Sequence, residues 1–388
     1  MIVRPRLLFY VQHLLGIGHL KRAATLARAL ERHGIAVTLV SGGQPVPGLD
    51  IGDAVMVQLD PVRTGDITFT RLVDDDGNEV DESFRAARRA RLLEAFAATR
   101  PHVVVTELFP FGRRQLRGEI MPLVEAAETA RQRPALVSSV RDILVEPSRP
   151  ERRIEMVETV ERHFDLVLVH GDATLIPFGE TFPLADRIRG RIRYTGYVVE
   201  PPPARRGPQG TDEVIVSAGG GALSEPLLKT AIAARPSTPA SGLVWRLLAG
   251  PALPADAFDR IRAAAADPNI VVERARPDFT TVLANCTLSI SQGGYNTVME
   301  VLAARCRAVV APYAGGRETE QTLRARLLAR RGAFAVVEER DLSPAALAAA
   351  VGHALAGPRP DAAGIDTGGA ETSARILTDL ARERARAA

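Results

Sequence analysis

His19 is the first residue of the chain whose type and setting suggest acid–base chemistry. It follows a turn containing Gly16 and Gly18, between a strand predicted over residues 6–12 and a helical pattern over residues 20–33. Imidazole removes protons from hydroxyl groups near neutral pH, and the positive end of a helix disfavours its protonated form. The pattern therefore predicts that His19 is a general base. The alternative is a histidine that only caps the helix or packs against it.

Two carboxylates follow predicted strands in the same half of the chain. Glu107 comes directly after the strand predicted over residues 102–106, and Asp142 comes shortly after the one predicted over residues 135–140. A carboxylate commonly orients a catalytic imidazole, and the carboxyl ends of parallel strands share one edge of a sheet. Either residue is therefore a candidate partner of His19. Each can instead cap a helix or pair with an arginine.

Residues 289–300 combine a short apolar strand, two glycines and a helical pattern. The backbone N–H groups at the start of such a helix, together with its positive end, suit an anion. Gly293, Asn296, Thr297 and Glu300 are spaced i, i+3, i+4 and i+7, so they share one helix face. Phosphate groups fit the start of this face, and a carboxylate lies two turns further on. The spacing predicts a site for a diphosphate attached to a ribose.

A second glycine-rich turn follows the strand predicted over residues 213–217. Gly219, Gly220 and Gly221 let a ligand approach the backbone amides closely. Turns of this kind are common in parallel sheets, so this one supports a ligand site only in combination with residues 289–300.

An acidic stretch lies within the polar residues 61–82 and consists of Asp74-Asp75-Asp76-Gly77-Asn78-Glu79. Its spacing differs from that of a calcium-binding loop, and it does not follow a predicted strand. We expect a solvated turn, with a divalent-metal site as the alternative. No residue is assigned as a metal ligand.

Length and composition limit the classes of protein that fit. The 388 residues exceed one ordinary domain, the net charge is +3, and aromatic residues make up 5% of the chain. Balanced charge and few aromatic rings argue against nucleic-acid binding. Cys286 and Cys306 border predicted buried strands and are expected to be core thiols in a reducing compartment. Since no apolar run reaches the length of a membrane span, we expect a cytoplasmic protein.

Strand and helix patterns alternate along the chain and predict an α/β protein with parallel sheets covered on both faces. The proline-rich residues 200–208 interrupt this alternation and indicate a domain boundary. We expect two Rossmann-like, doubly wound domains, over residues 1–203 and 210–368, facing each other across a cleft at the carboxyl ends of their strands. The tail, residues 369–388, is expected to form a helix from Glu371 that packs back across the first domain.

Arginines and aromatic residues cluster in the first half of the chain. The members are Arg85, Arg88, Arg89, Arg91, Arg113, Arg114, Arg117, Phe109 and Phe111. A solvated helix face explains the charges. Exposed aromatic rings beside arginines would also suit an anionic membrane surface or a lipid-phosphate acceptor. Peripheral contact with the inner face of the cell membrane is therefore a second expectation.

Residues 292–300 resemble the donor motif of the two-domain glycosyltransferases of the GT-B fold. Plant and antibiotic nucleotide-sugar transferases carry His-Cys-Gly-Trp-Asn-Ser-x-x-Glu, and this chain has Gln-Gly-Gly-Tyr-Asn-Thr-Val-Met-Glu in the same places. The turn ending at His19 resembles one near the start of the bacterial peptidoglycan N-acetylglucosaminyltransferase. Over nearly its whole length the chain is similar to bacterial proteins called predicted glycosyltransferases, which share the donor domain of that enzyme.

This resemblance implies roles for individual residues. Glu300 would bind the ribose hydroxyls, and Asn296 with Thr297 would bind the phosphates. Glu320 and Gln321 would hold the sugar, and His19 would be the base. The other residues assigned to donor binding are Gly18, Gly219, Gly220, Gly221, Arg276, Gln292, Gly293 and Gly294. Gln292 replaces the histidine of the plant motif, and residues 314–317 are additional to the usual spacing before Glu320.

The sequence thus predicts metal-independent, inverting transfer of a sugar from a nucleoside-diphosphate donor to an acceptor hydroxyl. The expected nucleotide is UDP, and the acceptor is expected to be lipid- or glycan-linked. The nucleotide sugar is a substrate, and no cofactor is expected. Two alternatives stay open: an epimerase acting on a UDP-sugar, and a non-catalytic protein that binds one. An NAD-dependent oxidoreductase is not expected, because neither half has Gly-x-Gly-x-x-Gly followed by a ribose-binding acid.

Overall fold

The computed structural model describes residues 4–14, 16–65, 71–145, 149–201, 207–218, 225–250, 253–315, 319–360 and 364–387. The chain divides into two compact units. The first unit comprises Met1–Val198 together with Asp366–Ala388, and the second comprises Val199–Ile365. The residues predicted as a separate tail therefore belong to the first unit.

Strands and helices alternate throughout the described part of the chain. The strands are β1 (Arg6–Val11), β2 (Ala36–Ser41), β3 (Val55–Gln58), β4 (Arg63–Thr64), β5 (Leu72–Val73), β6 (Val103–Glu107), β7 (Ala135–Arg141), β8 (Leu166–His170), β9 (Ile192–Tyr194), β10 (Glu213–Ser217), β11 (Val244–Ala249), β12 (Ile270–Arg274), β13 (Leu288–Ser291), β14 (Ala308–Val310) and β15 (Ala335–Val336). The α-helices are α1 (Gly18–Arg32), α2 (Glu82–Thr99), α3 (Arg117–Thr129), α4 (Glu151–His163), α5 (Glu225–Ala234), α6 (Ala255–Ala264), α7 (Phe279–Asn285), α8 (Tyr295–Ala303), α9 (Glu320–Arg330), α10 (Pro344–Ala356) and α11 (Gly369–Arg386).

The sheet of the first unit has the strand order β3-β2-β1-β6-β7-β8-β9, and its neighbouring strands are parallel. The chain moves outward in one direction from β1 to β3 and in the other direction from β6 to β9. The order therefore reverses between β1 and β6. Ligands of open α/β sheets bind at such a reversal, beyond the carboxyl ends of the two strands.

The sheet of the second unit has the order β12-β11-β10-β13-β14-β15 and is also parallel. Its order reverses between β10 and β13. Continuous apolar runs form the central strands of both sheets, because parallel strands are covered on both faces; Val214, Ile215 and Val216 of β10, for example, are fully buried. The prediction of an α/β fold with two doubly wound parallel sheets is confirmed.

Helix α11 packs against α1, β6 and β7 of the first unit. Its contact face consists of small and apolar side chains at helical spacing: Ala370, Ala374, Leu377 and Ala381. These residues join a core cluster with Leu26 and Leu30 of α1. The last helix thus completes the layer that covers one face of the first sheet.

Leu377→Ala should lower the free energy of unfolding of the first unit by about 2–5 kcal/mol, because it leaves a cavity at a fully buried position. Far-UV circular dichroism in a urea titration follows both units, whereas the fluorescence of Trp245, the only tryptophan, reports on the second. We expect the dichroism transition to shift while the fluorescence midpoint stays. Leu380→Ala, at a partly buried site of the same helix, should cost less. Equal shifts in both signals would contradict the assignment of α11 to the first unit.

The predicted exposure of two aromatic rings is wrong. Phe109 and Phe111 are 2% and 5% exposed. Phe111 packs edge-on against Phe178 and Phe182, with ring centroids 5.5 and 5.1 Å away. Arg88 of the same proposed basic cluster is also buried, where it donates to Glu119. The residues after β6 close the core of the first unit, so Phe109 and Phe111 supply no aromatic membrane contact.

The acidic stretch after β5 forms a turn. Asp74 accepts a hydrogen bond from the backbone amide of Asn78 at 2.8 Å, and Gly77 has the positive φ of 86° that glycine adopts without strain. Within the described residues no group of three or more His, Cys, Asp or Glu side chains is arranged to hold a metal ion.

In the part of the chain that the structure describes, no helix is long and apolar enough to span a bilayer.

Candidate active site

His19 and Glu107 meet at the point where the strand order of the first sheet reverses. His19 lies in the first turn of α1, directly after β1, and Glu107 is the last residue of β6. The imidazole Nδ1 is 2.6 Å from Glu107 Oε1. The side chains are 17% and 1% exposed, so the carboxylate is enclosed while the imidazole keeps one part open to solvent. The structure thus places Glu107 at the predicted carboxylate position beside His19.

Two arginines hold Glu107 in its ionised form. Arg22, one turn after His19 on α1, donates to Oε1 at 2.6 Å, and Arg113 Nη2 lies 3.5 Å from Oε2. Burial alone would raise the pKa of the Glu107 carboxyl, but His19, Arg113 and Arg22 lower it well below its usual range. A carboxylate without a proton can only accept hydrogen bonds.

The ionised carboxylate fixes the tautomer of His19. Because Glu107 accepts, Nδ1 of His19 carries the proton and donates it to Oε1, which leaves the lone pair on Nε2. Burial lowers the pKa of His19 to about 3; Glu107 opposes this shift, and Arg113 with Arg141 reinforces it. The imidazole is therefore neutral at physiological pH. A neutral, oriented imidazole with a free Nε2 is suited to accept a proton from a hydroxyl group.

Asp142, the other predicted carboxylate, has a different setting. It is fully buried after β7 and accepts a hydrogen bond from the backbone amide of Ile143 at 2.9 Å. The carboxylate in hydrogen-bond contact with His19 is Glu107. A catalytic role for Asp142 stays a prediction.

Acidification from about pH 6.5 to about pH 5 should destabilise the first unit. Burial lowers the pKa of His19 and of His170 to about 3, whereas an unfolded histidine titrates near pH 6.5. In this range the unfolded chain binds protons that the folded chain does not, so each histidine removes about 1.4 kcal/mol of stability per pH unit. Urea titrations across the range measure the slope. His19→Gln should reduce the slope of unfolding free energy against pH by the contribution of one histidine. An unchanged slope would contradict the burial of a neutral imidazole at position 19.

The glycine turn of the second unit lies at the other reversal of strand order, between β10 and β13. Ser217 and Ser291, the last residues of these strands, are paired in register, and the amide of Gln292 donates to the Ser217 carbonyl at 3.2 Å. A Cβ at Gly293 would lie 3.2 Å from Pro312 Cβ and 3.3 Å from Gln321 Cβ, so this position is too crowded for most side chains. Gly293 thus allows a close approach of the chain to the start of α9.

Helix α8 presents the predicted face to solvent. Asn296, Thr297 and Glu300 are partly exposed, whereas the opposite side of the helix is buried in the core. The helix begins after Gly294, and no side chain of the described residues caps its N-terminus. A Cβ at Gly294 would meet no described atom within 4 Å. The helix dipole and the backbone amides of Asn296 and Thr297 can therefore face an anion, with the Glu300 carboxylate on the same face.

Other predicted donor residues differ in their surroundings. Gln321 accepts from the Tyr313 amide at 3.2 Å, next to the turn. Glu320 is buried and pairs with Arg324 at 2.7 Å, so its carboxylate stabilises helix α9. Sugar binding by Glu320 and by Gln321 stays a prediction.

Arg276 follows the edge strand β12 and forms ion pairs with Asp278 and Glu273. Its contact with the donor also stays a prediction. Gly219, Gly220 and Gly221 lie outside the described residues.

The two cysteines fit the expectation of core thiols. Cys286 and Cys306 are 1% and 2% exposed, and their sulfur atoms are 3.1 Å apart. The hydrogen bond between them and their burial raise the pKa of Cys286 well above its usual range. Such thiols are unreactive as nucleophiles.

Two members of the first site, Arg22 and Arg113, were not predicted from the sequence. Arg22 lies three residues after His19, which places both on one face of α1, and this spacing could have identified it. Arg113 was assigned to a basic surface cluster, but its side chain is 9% exposed and contacts Glu107. Only the fold of the loop after β6 reveals that position.

Comparisons with known proteins match the second unit and the overall fold. Residues 246–368 match the glycosyltransferase family 28 C-terminal domain. The chain is 33% identical over 132 residues to UDP-N-acetylglucosamine--N-acetylmuramyl-(pentapeptide) pyrophosphoryl-undecaprenol N-acetylglucosamine transferase of Mesorhizobium japonicum. That match spans 32% of this chain and about a third, 35%, of the relative.

Solved structures match over nearly the whole chain. The calicheamicin glycosyltransferase CalG4 has a TM-score of 0.58 at 19% identity, covering 99% of this chain and 97% of its own. MurG of Acinetobacter baumannii has a TM-score of 0.57 at 14% identity, with 98% and 99% covered. SnogD of Streptomyces nogalater has 0.58 at 19%, with 97% and 99% covered. The chain therefore has the GT-B fold of glycosyltransferases. Most of its second unit lies within the region that is similar to the C-terminal domain of glycosyltransferase family 28.

Proposed function

We propose that this protein is a glycosyltransferase that moves a sugar from a nucleoside-diphosphate donor, with UDP as the nucleotide, to an acceptor hydroxyl. Transfer inverts the anomeric centre and uses no metal ion. The observation that carries the proposal is the contact between His19 and Glu107, which leaves Nε2 of a neutral imidazole free to accept a proton.

The first unit supplies the base in this mechanism. His19 Nε2 removes the proton of the acceptor hydroxyl as its oxygen forms a bond to the anomeric carbon of the donor sugar. The bond from that carbon to the diphosphate breaks on the opposite side, and the diphosphate leaves with the electron pair. Glu107 stabilises the imidazolium that forms, and Arg22 keeps Glu107 in place.

The second unit supplies donor binding. The uncapped N-terminus of α8 offers backbone amides and a positive helix end to the diphosphate, where negative charge develops as it leaves. Glu300, two turns along the same face, accepts hydrogen bonds from the ribose hydroxyls. Preorganised dipoles of this kind supply several kcal/mol of stabilisation, which is the reason the mechanism includes no metal.

The acceptor is a hydroxyl of a glycan- or lipid-linked molecule. The name of the Mesorhizobium relative describes transfer to an undecaprenol-linked sugar. Lipid-linked sugars therefore belong in the acceptor panel. The proposed location is the cytoplasm, with acceptors of this kind reached at the inner face of the membrane.

A nucleotide-sugar panel tests the proposal. At a ligand concentration of about 100 times Kd, a donor stabilises the protein by about 2.7 kcal/mol, which raises the melting temperature by about 5–10 °C for a unit of this size. The fluorescence of Trp245 follows this shift in the second unit. Active donors are then incubated with acceptors, with and without EDTA, and release of UDP and the anomeric configuration of the product are measured.

Three results would contradict the proposal in different ways. Stabilisation by a UDP-sugar without release of UDP for any acceptor or for water would indicate a binding protein. Conversion of the donor without an acceptor would indicate an epimerase. Loss of transfer in EDTA would overturn the metal-independent mechanism while leaving the transferase assignment.

A further inference from the structure

Two buried guanidinium groups share one carboxylate at the carboxyl end of β6. The side chains of Arg22 and Arg113 are 2% and 9% exposed, and both contact Glu107. One negative charge therefore faces two positive charges. Keeping an uncompensated charge away from water costs free energy.

Arg113 has the weaker hold on the carboxylate. Its Nη2 is 3.5 Å from Glu107 Oε2, whereas Arg22 is 2.6 Å from Oε1. Its Nε is buried, and among the described residues it has no hydrogen-bond partner. Burial lowers the pKa of Arg113, and the nearby Arg141 contributes to this shift against the opposing effect of Glu107. These observations describe a cation that lacks a full counter-ion.

The backbone also holds Arg113 in an unusual conformation. Its φ is 61°, in the left-handed region that residues other than glycine rarely adopt. Such conformations cost free energy and persist where the surrounding structure holds the backbone in place. This loop turns the guanidinium back towards Glu107, the partner of the base.

We propose that Arg113 binds a carboxylate of the acceptor, next to the hydroxyl group that His19 deprotonates, so that the acceptor is a sugar acid or another hydroxy acid. This inference rests on the proposed function. Arg113 contacts the same carboxylate as His19, so an anion held by Arg113 lies near the reacting hydroxyl. The diphosphate of the donor is assigned to α8 in the other unit.

The charge of Arg113 favours a carboxylate over a phosphate ester. A carboxylate supplies one negative charge, equal and opposite to that of one guanidinium, whereas a phosphate monoester carries about −1.5 to −2 at neutral pH. The planar guanidinium also matches the planar carboxylate, and two parallel N–H···O bonds fix its orientation.

Matched acceptors test the inference. The test compares methyl glucuronide, methyl glucoside and methyl glucoside 6-phosphate, and the galacto series in the same way, as acceptors for the wild-type full chain. We expect kcat/KM to be about 10- to 100-fold higher for the acid than for the neutral sugar, since hydrogen bonds to charged groups contribute this much. The phosphate should lie below the acid.

Two variants and a control assign the preference to Arg113. Arg113→Met should remove the preference for the acid through a raised KM for the acid, with the donor KM little changed. Any loss of rate from removing a contact of Glu107 is shared by the acid and the neutral sugar, so the ratio of their kcat/KM values isolates the acceptor carboxylate. Arg113→Lys keeps the charge and should restore part of the preference, which separates binding from misfolding. The control is Arg114→Met, at the adjacent residue, whose side chain is 56% exposed and pairs with Glu155. It should keep the full preference.

The outcomes separate this inference from the proposed function. Equal rates for acid and neutral acceptors, or a preference that survives Arg113→Met, would overturn the inference while the transferase assignment stands. A raised donor KM in Arg113→Met would assign Arg113 to the donor diphosphate and reject the inference. A higher kcat/KM for the 6-phosphate acceptor than for the acid would show that the site prefers a phosphate, which also rejects the inference. If no nucleotide sugar is turned over, the proposed function fails. Calorimetric binding of methyl glucuronide that depends on Arg113 would then still support a carboxylate site, and its absence would reject one.

Discussion

Replacing His19 with glutamine should slow sugar transfer by about 10²- to 10⁴-fold, with the affinity for the donor near that of the wild type. Glutamine keeps a polar group of similar size but cannot accept the proton of the acceptor hydroxyl. The loss should therefore fall on kcat at saturating donor and acceptor. Initial rates of UDP release measure it, and the thermal shift with donor shows that the second unit still binds.

The first unit contains a matched control for this substitution. His163, at the end of α4, also pairs with a glutamate: its Nδ1 is 2.9 Å from Glu128 Oε1, and its side chain is 14% exposed. His163→Gln removes a pair of the same kind outside the proposed site and should leave the rate unchanged. If both variants lose activity equally, the effect is on folding. If His19→Gln transfers at the wild-type rate, His19 is not the base.

Glu300→Gln should weaken binding of the nucleotide donor by about 10- to 100-fold, because it removes the charge from the hydrogen bonds to the ribose hydroxyls. The partly exposed position on α8 allows glutamine without repacking, so the unliganded protein should stay folded, which a melting curve without donor shows. Calorimetric titration with the donor gives Kd, and the thermal shift should shrink at a fixed donor concentration.

Asp259→Asn is the control for Glu300. It removes an exposed carboxylate from α6 in the same unit, and it should leave Kd unchanged. Equal losses in both variants would point to the overall charge of the unit. An unchanged Kd in Glu300→Gln would remove Glu300 from the donor site and leave the N-terminus of α8 without its ribose partner.

The α/β fold, the two glycine turns and the pairing of His19 with a carboxylate follow from sequence patterns. Continuous apolar runs identify strands of parallel sheets, and the glycine turns before α1 and α8 identify where a ligand approaches the chain. Glu107 was predicted beside His19 because the carboxyl ends of parallel strands share one edge. The choice between Glu107 and Asp142 required the strand order, since β1 is adjacent to β6 and not to β7.

The remaining details depend on contacts that sequence patterns do not specify. Membrane contact through the arginine and aromatic cluster would require Phe109 and Phe111 to be exposed, but both rings lie in the core. The ion pair of Glu320 with Arg324 was not predicted, although the spacing of four residues is typical of an intrahelical ion pair. The position of Arg113 beside Glu107 depends on the left-handed backbone conformation at residue 113, which the sequence does not predict for an arginine.

The contribution of α11 to the first unit has a consequence for biosynthesis. A ribosome must add the 167 residues from Val199 to Ile365 before this helix is made, which takes about 10–30 s at bacterial and eukaryotic elongation rates of roughly 5–20 residues per second. During that interval the nascent first unit lacks its last covering helix, and apolar side chains of α1 such as Leu26 and Leu30 lack their α11 partners. The second unit can complete its sheet first, although it is synthesised later. A ribosome-bound chain ending before α11 should therefore bind chaperones through its first unit.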